Sequence, residues 1–429
     1  MAMKRSTAAW TVLASLFLHG CPTFPRDGEY FCNSDADCPS PMEGCDVSRQ
    51  RCRVPGRDGG EVEGPGCPSD LTTACGPRQY ACADGCCDFQ IQPVTYDSGK
   101  PFYGEAGPDG LAFSDDGRVH LAVRGEGGSV VYLSRGPGET GDWAWTTVLG
   151  SGSADRPSLA TDGGRVGLAW SNIGDEVKAT LANIGEAFAP ASTVNAAGKP
   201  LVDTRVAARF SGNHFSVAWL QGDPAIEAPL YVASTVGDLS WTNVLVRDNS
   251  QPGQRPALHR WGNGLRAGVL GTQASSTIDV FDLDPESSSS VVLPTLGAKA
   301  GPSSELILTG SSSFALIAAW LEFDGANLYA VHWARLNSGT AAWQPAEEVP
   351  NSEARNGLAG DFNAATEVTH LFWQHGNTGN LMYSRRYAAT WHTVSMNVGG
   401  RNPSVVVDDS CRPHVLYTDD GTGELMYAR

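Results

Sequence analysis

Residues 369–386 read THLFWQHGNTGNLMYSRR, and residues 413–429 read PHVLYTDDGTGELMYAR. Each joins a short apolar strand ending in a large aromatic to a second strand through a Gly-rich turn, the pattern of a β-hairpin. The first strand of this hairpin recurs along the chain: VHLAV ends at Val123, VGLAW at Trp170, FSVAW at Trp219, RAGVL at Leu270, IAAW at Trp320, THLFW at Trp373 and PHVLY at Tyr417, at spacings of 44 to 53 residues. Another apolar strand lies upstream of it, as in PSLAT (157–161), PALH (256–259) and PSVVV (403–407). A fourth often opens with tryptophan, at Trp145, Trp241, Trp343 and Trp391. Four short strands at this period describe a propeller blade. The expected fold class is therefore all-β: a seven-bladed β-propeller with four-stranded antiparallel blades, preceded by a small disulfide-rich segment.

Seven units fit, at 103–152, 153–198, 199–251, 252–300, 301–353, 354–399 and 400–429. The seventh stops at Arg429 after its third strand, where the sixth continues into a fourth. A ring left open there would present an unpaired sheet edge. FQIQPVTY (89–96) is an orphan strand-like segment just ahead of the first unit. It is expected to close the seventh blade, so that the propeller occupies 89–429. The repeat resembles the degenerate sialidase-like and BNR-like propeller repeats, a resemblance that implies a fold and no particular activity.

The N-terminal residues read differently. Lys4 and Arg5 precede an apolar run from Ala8 to Leu18 that is too short to span a bilayer, which takes about 20 apolar residues. The run ends in Leu18-His19-Gly20-Cys21, which resembles the lipobox of bacterial lipoproteins. That resemblance implies a signal peptide at 1–20, acylation of Cys21, and a tether at 21–31. Localisation would then be the bacterial cell envelope, at the outer membrane or cell surface, with the membrane reached through the N-terminal lipid.

Ten cysteines remain: Cys32, Cys38, Cys45, Cys52, Cys67, Cys75, Cys82, Cys86, Cys87 and Cys411. An even number in an exported chain reads as a disulfide framework. Residues 32–52 resemble the short dickkopf-type cysteine-rich motif of bacterial surface lipoproteins, residues 53–66 (RVPGRDGGEVEGPG) form a polar linker, and 67–88 hold a second cysteine-rich segment. Zinc is disfavoured, because no CxxC pair is present and no histidine lies between residues 22 and 119. Four cysteines can pair within 32–52, which leaves the second group and Cys411. A bond from Cys411 to that group would lock the ring closed.

With 47 acidic and 30 basic residues, the net charge of −17 argues against nucleic acid as a partner. No GxSxG, HExxH, Walker or dinucleotide motif is present, so no catalytic residue and no cofactor is named. SDDGRVHL (114–121) and TDDGTGEL (418–425) keep parts of a sialidase Asp-box but lack its tryptophan, and tight turns account for them. A calcium site at Asp419, Asp420 and Glu424 matches no familiar loop. His120, His370 and His414 share one phase of the second strand, and read as a packing slot in preference to a metal site. An arginine precedes the innermost strand in five units: Arg156, Arg205, Arg255, Arg355 and Arg401. Units one and five offer Glu105 or Asp109, and Glu305, instead. These arginines either ring one mouth of the channel and trap an anion, or pair with carboxylates of the repeat. The leading functional expectation is a membrane-anchored, monomeric binding propeller for a glycan, anionic if the arginines bind it, or for a protein partner. The alternatives are a sialidase-like glycoside hydrolase or lyase acting on acidic sugars, and a structural part of an envelope complex.

Overall fold

The computed structural model describes residues 45–46, 51–52, 72, 74–82 and 85–429, the last without 149–153, 173–175, 196–200, 202–204, 223–228, 238, 249–254, 271–276, 286–288, 298–304, 324–328 and 338–341. The chain divides into two units, Met1–Gly64 and Pro65–Arg429. In the first, Cys45–Asp46 pairs antiparallel with Arg51–Cys52, placing Cys45 opposite Cys52. Cys21, Cys32, Cys38 and Cys67, and the expected signal peptide, lie outside the described residues.

The second unit is a β-propeller. Among the described residues it holds no α-helix, only a 3-10 turn at Glu126–Gly128. Its sheets are antiparallel and follow the sequence repeat, with innermost strands Glu105–Phe113, Ser158–Asp162, Ala207–Ser211, Ala257–Trp261, Leu306–Ser311, Ala354–Asn363 and Arg401–Val407. Each innermost strand packs beside the next, and the last packs beside the first. Apolar clusters fill the spaces between neighbouring sheets: Trp170 packs with Val130 and Val148 of the preceding sheet, Trp219 with Val177, Trp320 with Ile278, and Trp373 with Trp333. These four second-strand tryptophans are fully buried. Burial on both faces explains why the second strands are predominantly apolar, with no regular polar alternation.

The fourth strand of the last sheet is Ile91–Pro93, which pairs with Leu425–Ala428. Gln90 and Arg429 exchange backbone hydrogen bonds at 2.8 and 3.3 Å beyond it. The strand is shorter than the span 89–96. After Val94 the chain turns away, and Thr95–Tyr96 pairs with Lys100–Pro101 in a hairpin of its own. That turn is built on positive φ at Asp97, Ser98 and Gly99, a conformation that short polar residues and glycine tolerate. Two other details depart from four equal strands. Sheet four splits its outer edge into Ser289–Val292 and Leu296–Gly297, and sheets five and six are joined through Tyr329 opposite Ala354.

Ahead of the closing strand, the hairpin Gln79–Cys82 and Gly85–Asp88 carries two disulfides, Cys75–Cys86 and Cys82–Cys87. Arg78 anchors it to sheet six, donating from Nε to the Met396 carbonyl at 2.8 Å. Cys411 is also disulfide-bonded. Since the described members of the second cysteine group pair with one another, its partner is none of them.

Candidate functional site

Four of the five arginines meet polar side chains, three of which (partners of Arg156, Arg205 and Arg255) reach from other sheets. Arg205 lies 3.4 Å from Glu305 and Arg255 is ion-paired to Asp109. Asp109 also takes a hydrogen bond from Arg209 at 2.8 Å. Arg156 donates to Asn402 at 2.6 Å, and Arg401 lies 3.2 Å from Asp420. Arg355 alone of the five is exposed. Sheets one and five, which lack the arginine, thus supply the carboxylates of Arg255 and Arg205 from non-adjacent sheets, whereas Arg401 pairs within its own: Arg205 and Glu305 are 100 residues apart. Glu305 is buried and also accepts the Leu358 backbone N–H at 2.6 Å. Burial lowers the Arg255 pKa to about 10, with Glu305 opposing that shift.

Deeper in the channel a cavity of about 250 Å³ is lined from all the innermost strands, with Asp109, Arg209, His259 and Asp361 among its polar residues. Its acids are spoken for. Asp361 accepts from the Val407 and Phe362 backbone N–H groups at 2.7 and 2.8 Å and from the Thr309 hydroxyl at 3.3 Å. Burial nonetheless raises its pKa, because desolvation outweighs those bonds.

The three in-phase histidines are packing residues, each bonded to a tyrosine of the adjacent third strand. Nδ1 of His120 lies 2.6 Å from the Tyr132 hydroxyl, and that of His370 lies 2.9 Å from Tyr383. His414 bonds Tyr427 in the same way and Asp408 through Nε2 at 3.0 Å. The tyrosine partners could have been read from VVYL, LMYS and LMYA, which place a tyrosine at one phase of the third strand. Both Asp-box-like segments are turns. Asp419 Oδ1 accepts from the Gly421 and Thr422 backbone N–H groups at 2.9 and 2.7 Å, which commits this carboxylate to its own loop. Among the described residues no cluster of His, Cys, Asp or Glu is arranged to hold a metal ion.

One open cleft, of about 770 Å³, runs from the innermost to the outermost strand of sheet one beside the Thr95–Pro101 hairpin. Tyr103 and Trp145 line it and are 57% and 43% exposed, although they are large apolar residues. Tyr96 packs edge-on against Trp145 at 5.4 Å, and the indole N–H donates to Asp97 at 3.3 Å, so the ring is held in place. On the floor Arg124 and Glu105 pair at 3.4 Å with both side chains more than a third exposed. The wall opposite is the turn Glu126–Gly128, where Gly127 and Gly128 have φ of 69° and 75°. A methyl group at Gly127 would meet nothing within 4 Å, so bare backbone faces open space there. The sequence pointed to Trp145 as a strand opener and to Glu105 as the residue replacing an arginine, but not to their meeting, which depends on the extra hairpin.

No family model and no curated protein matches the chain. Among solved structures it is similar to BP39L, a lectin from Burkholderia pseudomallei, with a TM-score of 0.57 at 14% identity over 76% of this chain and 96% of that one. AofleA from Arthrobotrys oligospora scores 0.47 at 11% identity, covering 77% of this chain and 95% of the other. A lectin from Aleuria aurantia, described as a six-bladed β-propeller with a novel fucose recognition mode, scores 0.44 at 14% identity over 66% and 92%. The likeness to BP39L is one of fold: this chain is an all-β propeller.

Proposed function

We propose that the chain is a seven-bladed propeller, held at the bacterial envelope by a lipid on Cys21, and that it binds a glycan. One observation carries the reading of function: a cleft lined both by two exposed aromatic rings and by a half-buried Glu105–Arg124 pair. Sugar rings present an apolar C–H face and a rim of hydroxyls. An aromatic platform takes the first, and a guanidinium with a carboxylate takes the second. That BP39L, similar in fold, is a lectin accords with it.

Trp145→Ala is expected to weaken saccharide binding by about thirtyfold, or about 2 kcal/mol, the loss typical of an aromatic anchor. A modest drop in melting is expected too, since the ring is more than half buried and packs on Tyr96, so binding is compared where both proteins are folded. A glycan array probed with both proteins measures this. Absence of any array signal, or a signal that survives the substitution, rejects the cleft as the site.

For the remaining assignments, mass spectrometry of the membrane fraction gives a direct reading. An acylated N-terminal Cys21 is expected. A peptide linking Cys67 to Cys411 is expected too, because Cys67 is the one member of the second cysteine group left without a described partner. A soluble protein starting elsewhere, or Cys411 linked to the first group, overturns the respective assignment.

A further inference from the structure

Granted a glycan in this cleft, we infer that it carries a free amino group: the site selects a cationic amino sugar over acidic or N-acylated ones. The reasoning begins with charge. The cleft is lined by Glu105 and Glu126 against a single cation, Arg124, and Arg124 is already paired to Glu105. Two more carboxylates stand behind the aromatic rings: the Tyr103 hydroxyl donates to Glu424 at 3.4 Å, and the Trp145 indole donates to Asp97. Glu126 is exposed and has no cation beside it among the described residues. It sits at the start of the glycine turn, where the missing side chain of Gly127 leaves room for a ligand to come close.

An anionic sugar entering here meets excess negative charge on a chain whose net charge is −17, and only a neutralised arginine to answer it. A protonated amine is drawn in by both the local and the overall field. A ring stacked on Trp145 would direct one substituent toward the Glu126 turn. An ammonium there gains a charge-assisted bond to an exposed carboxylate, whereas an acetamide gains a neutral one. Of the arginines at which sequence alone suggested an anion, Arg205, Arg255 and Arg401 already have carboxylates beside them.

The test is calorimetric titration of the full chain with three trisaccharides: glucosamine, N-acetylglucosamine and galacturonic acid. The glucosamine trimer is expected to bind about fivefold tighter than its N-acetylated counterpart, the upper range for an exposed ion pair. That preference should vanish at about 1 M salt, where screening acts over about 3 Å, and in Glu126→Gln, while Trp145→Ala weakens both ligands. Equal affinity for the amino and N-acetyl trimers, with loss in Trp145→Ala, overturns the inference and leaves the glycan reading standing. Tighter binding of the galacturonate trimer overturns it as well. Failure of all three to bind removes the glycan reading itself.

Discussion

Replacing Glu305 with alanine is expected to cost about 3–5 kcal/mol of folding stability, the range for removing one partner of a buried ion pair. Three groups lose their complement at once. Arg205 loses its carboxylate at 3.4 Å, the Leu358 N–H loses its acceptor, and the nearby buried Arg255 loses a compensating charge. Glu305→Gln keeps an acceptor for Leu358 and removes only the charge, so it should cost less, about 1–3 kcal/mol. The pair of variants also decides between the two readings of the arginine ring. Both variants take the Glu305 charge away from Arg205, so each should gain more melting temperature from added sulfate than the parent, whose response should be only the general one of an excluded salt. Denaturant unfolding with and without sulfate provides the comparison. A loss below about 1 kcal/mol in Glu305→Ala, or a sulfate response as large in the parent as in the variants, would show that pairing with Glu305 is not what holds Arg205.

This pairing marks the boundary of what could be read from the sequence. The repeat was legible because each sheet buries both faces against its neighbours, which forces a large apolar residue such as Trp170 or Trp219 to the same place in every unit. Closure was legible for a similar reason: a final unit ending after three strands needs a fourth, and Ile91–Pro93 supplies it. The arginines and the two carboxylates that replace them were visible as a list of positions. Who faces whom was not, because Asp109 meets Arg209 and Arg255 from non-adjacent sheets, and no local periodicity encodes a contact across a ring. The cleft was hidden for a different reason. It depends on the Thr95–Pro101 hairpin, which breaks the repeat and of which only residues 95–96 fall within the span 89–96 expected to close the ring.

Acidification should unfold the propeller well before its surface carboxylates are protonated, because His120 and His370 are buried and kept neutral. Desolvation is the main cause in both. It lowers the His120 pKa to about 4, against a smaller opposing pull from Asp116, and lowers that of His370 to about 3 with help from Arg385. In the unfolded chain both return to about 6.5. Below that value the unfolded state takes up protons that the folded state refuses, so stability falls as pH falls, by about 1.4 kcal/mol per unit for each histidine until the folded pKa is reached. Between pH 7.5 and 5 the two together remove about 4 kcal/mol. Asp408, whose pKa is lowered through its bond with His414, adds to the loss at lower pH. Asp361, raised by burial, works in the opposite direction and offsets part of it. His120→Gln separates the histidine contribution from the rest, since an amide can hold hydrogen bonds to Ser114 and Tyr132 but takes up no proton. The variant should lose some stability at pH 7.5 and show an acid slope shallower by about 1.4 kcal/mol per unit. Urea unfolding midpoints from pH 7.5 down to 5 would reveal it. A parent protein whose midpoint is flat over that range, or a variant that keeps the parent's slope, would mean that these imidazoles take up protons in the folded state, and that the His–Tyr pairs admit charge despite their burial.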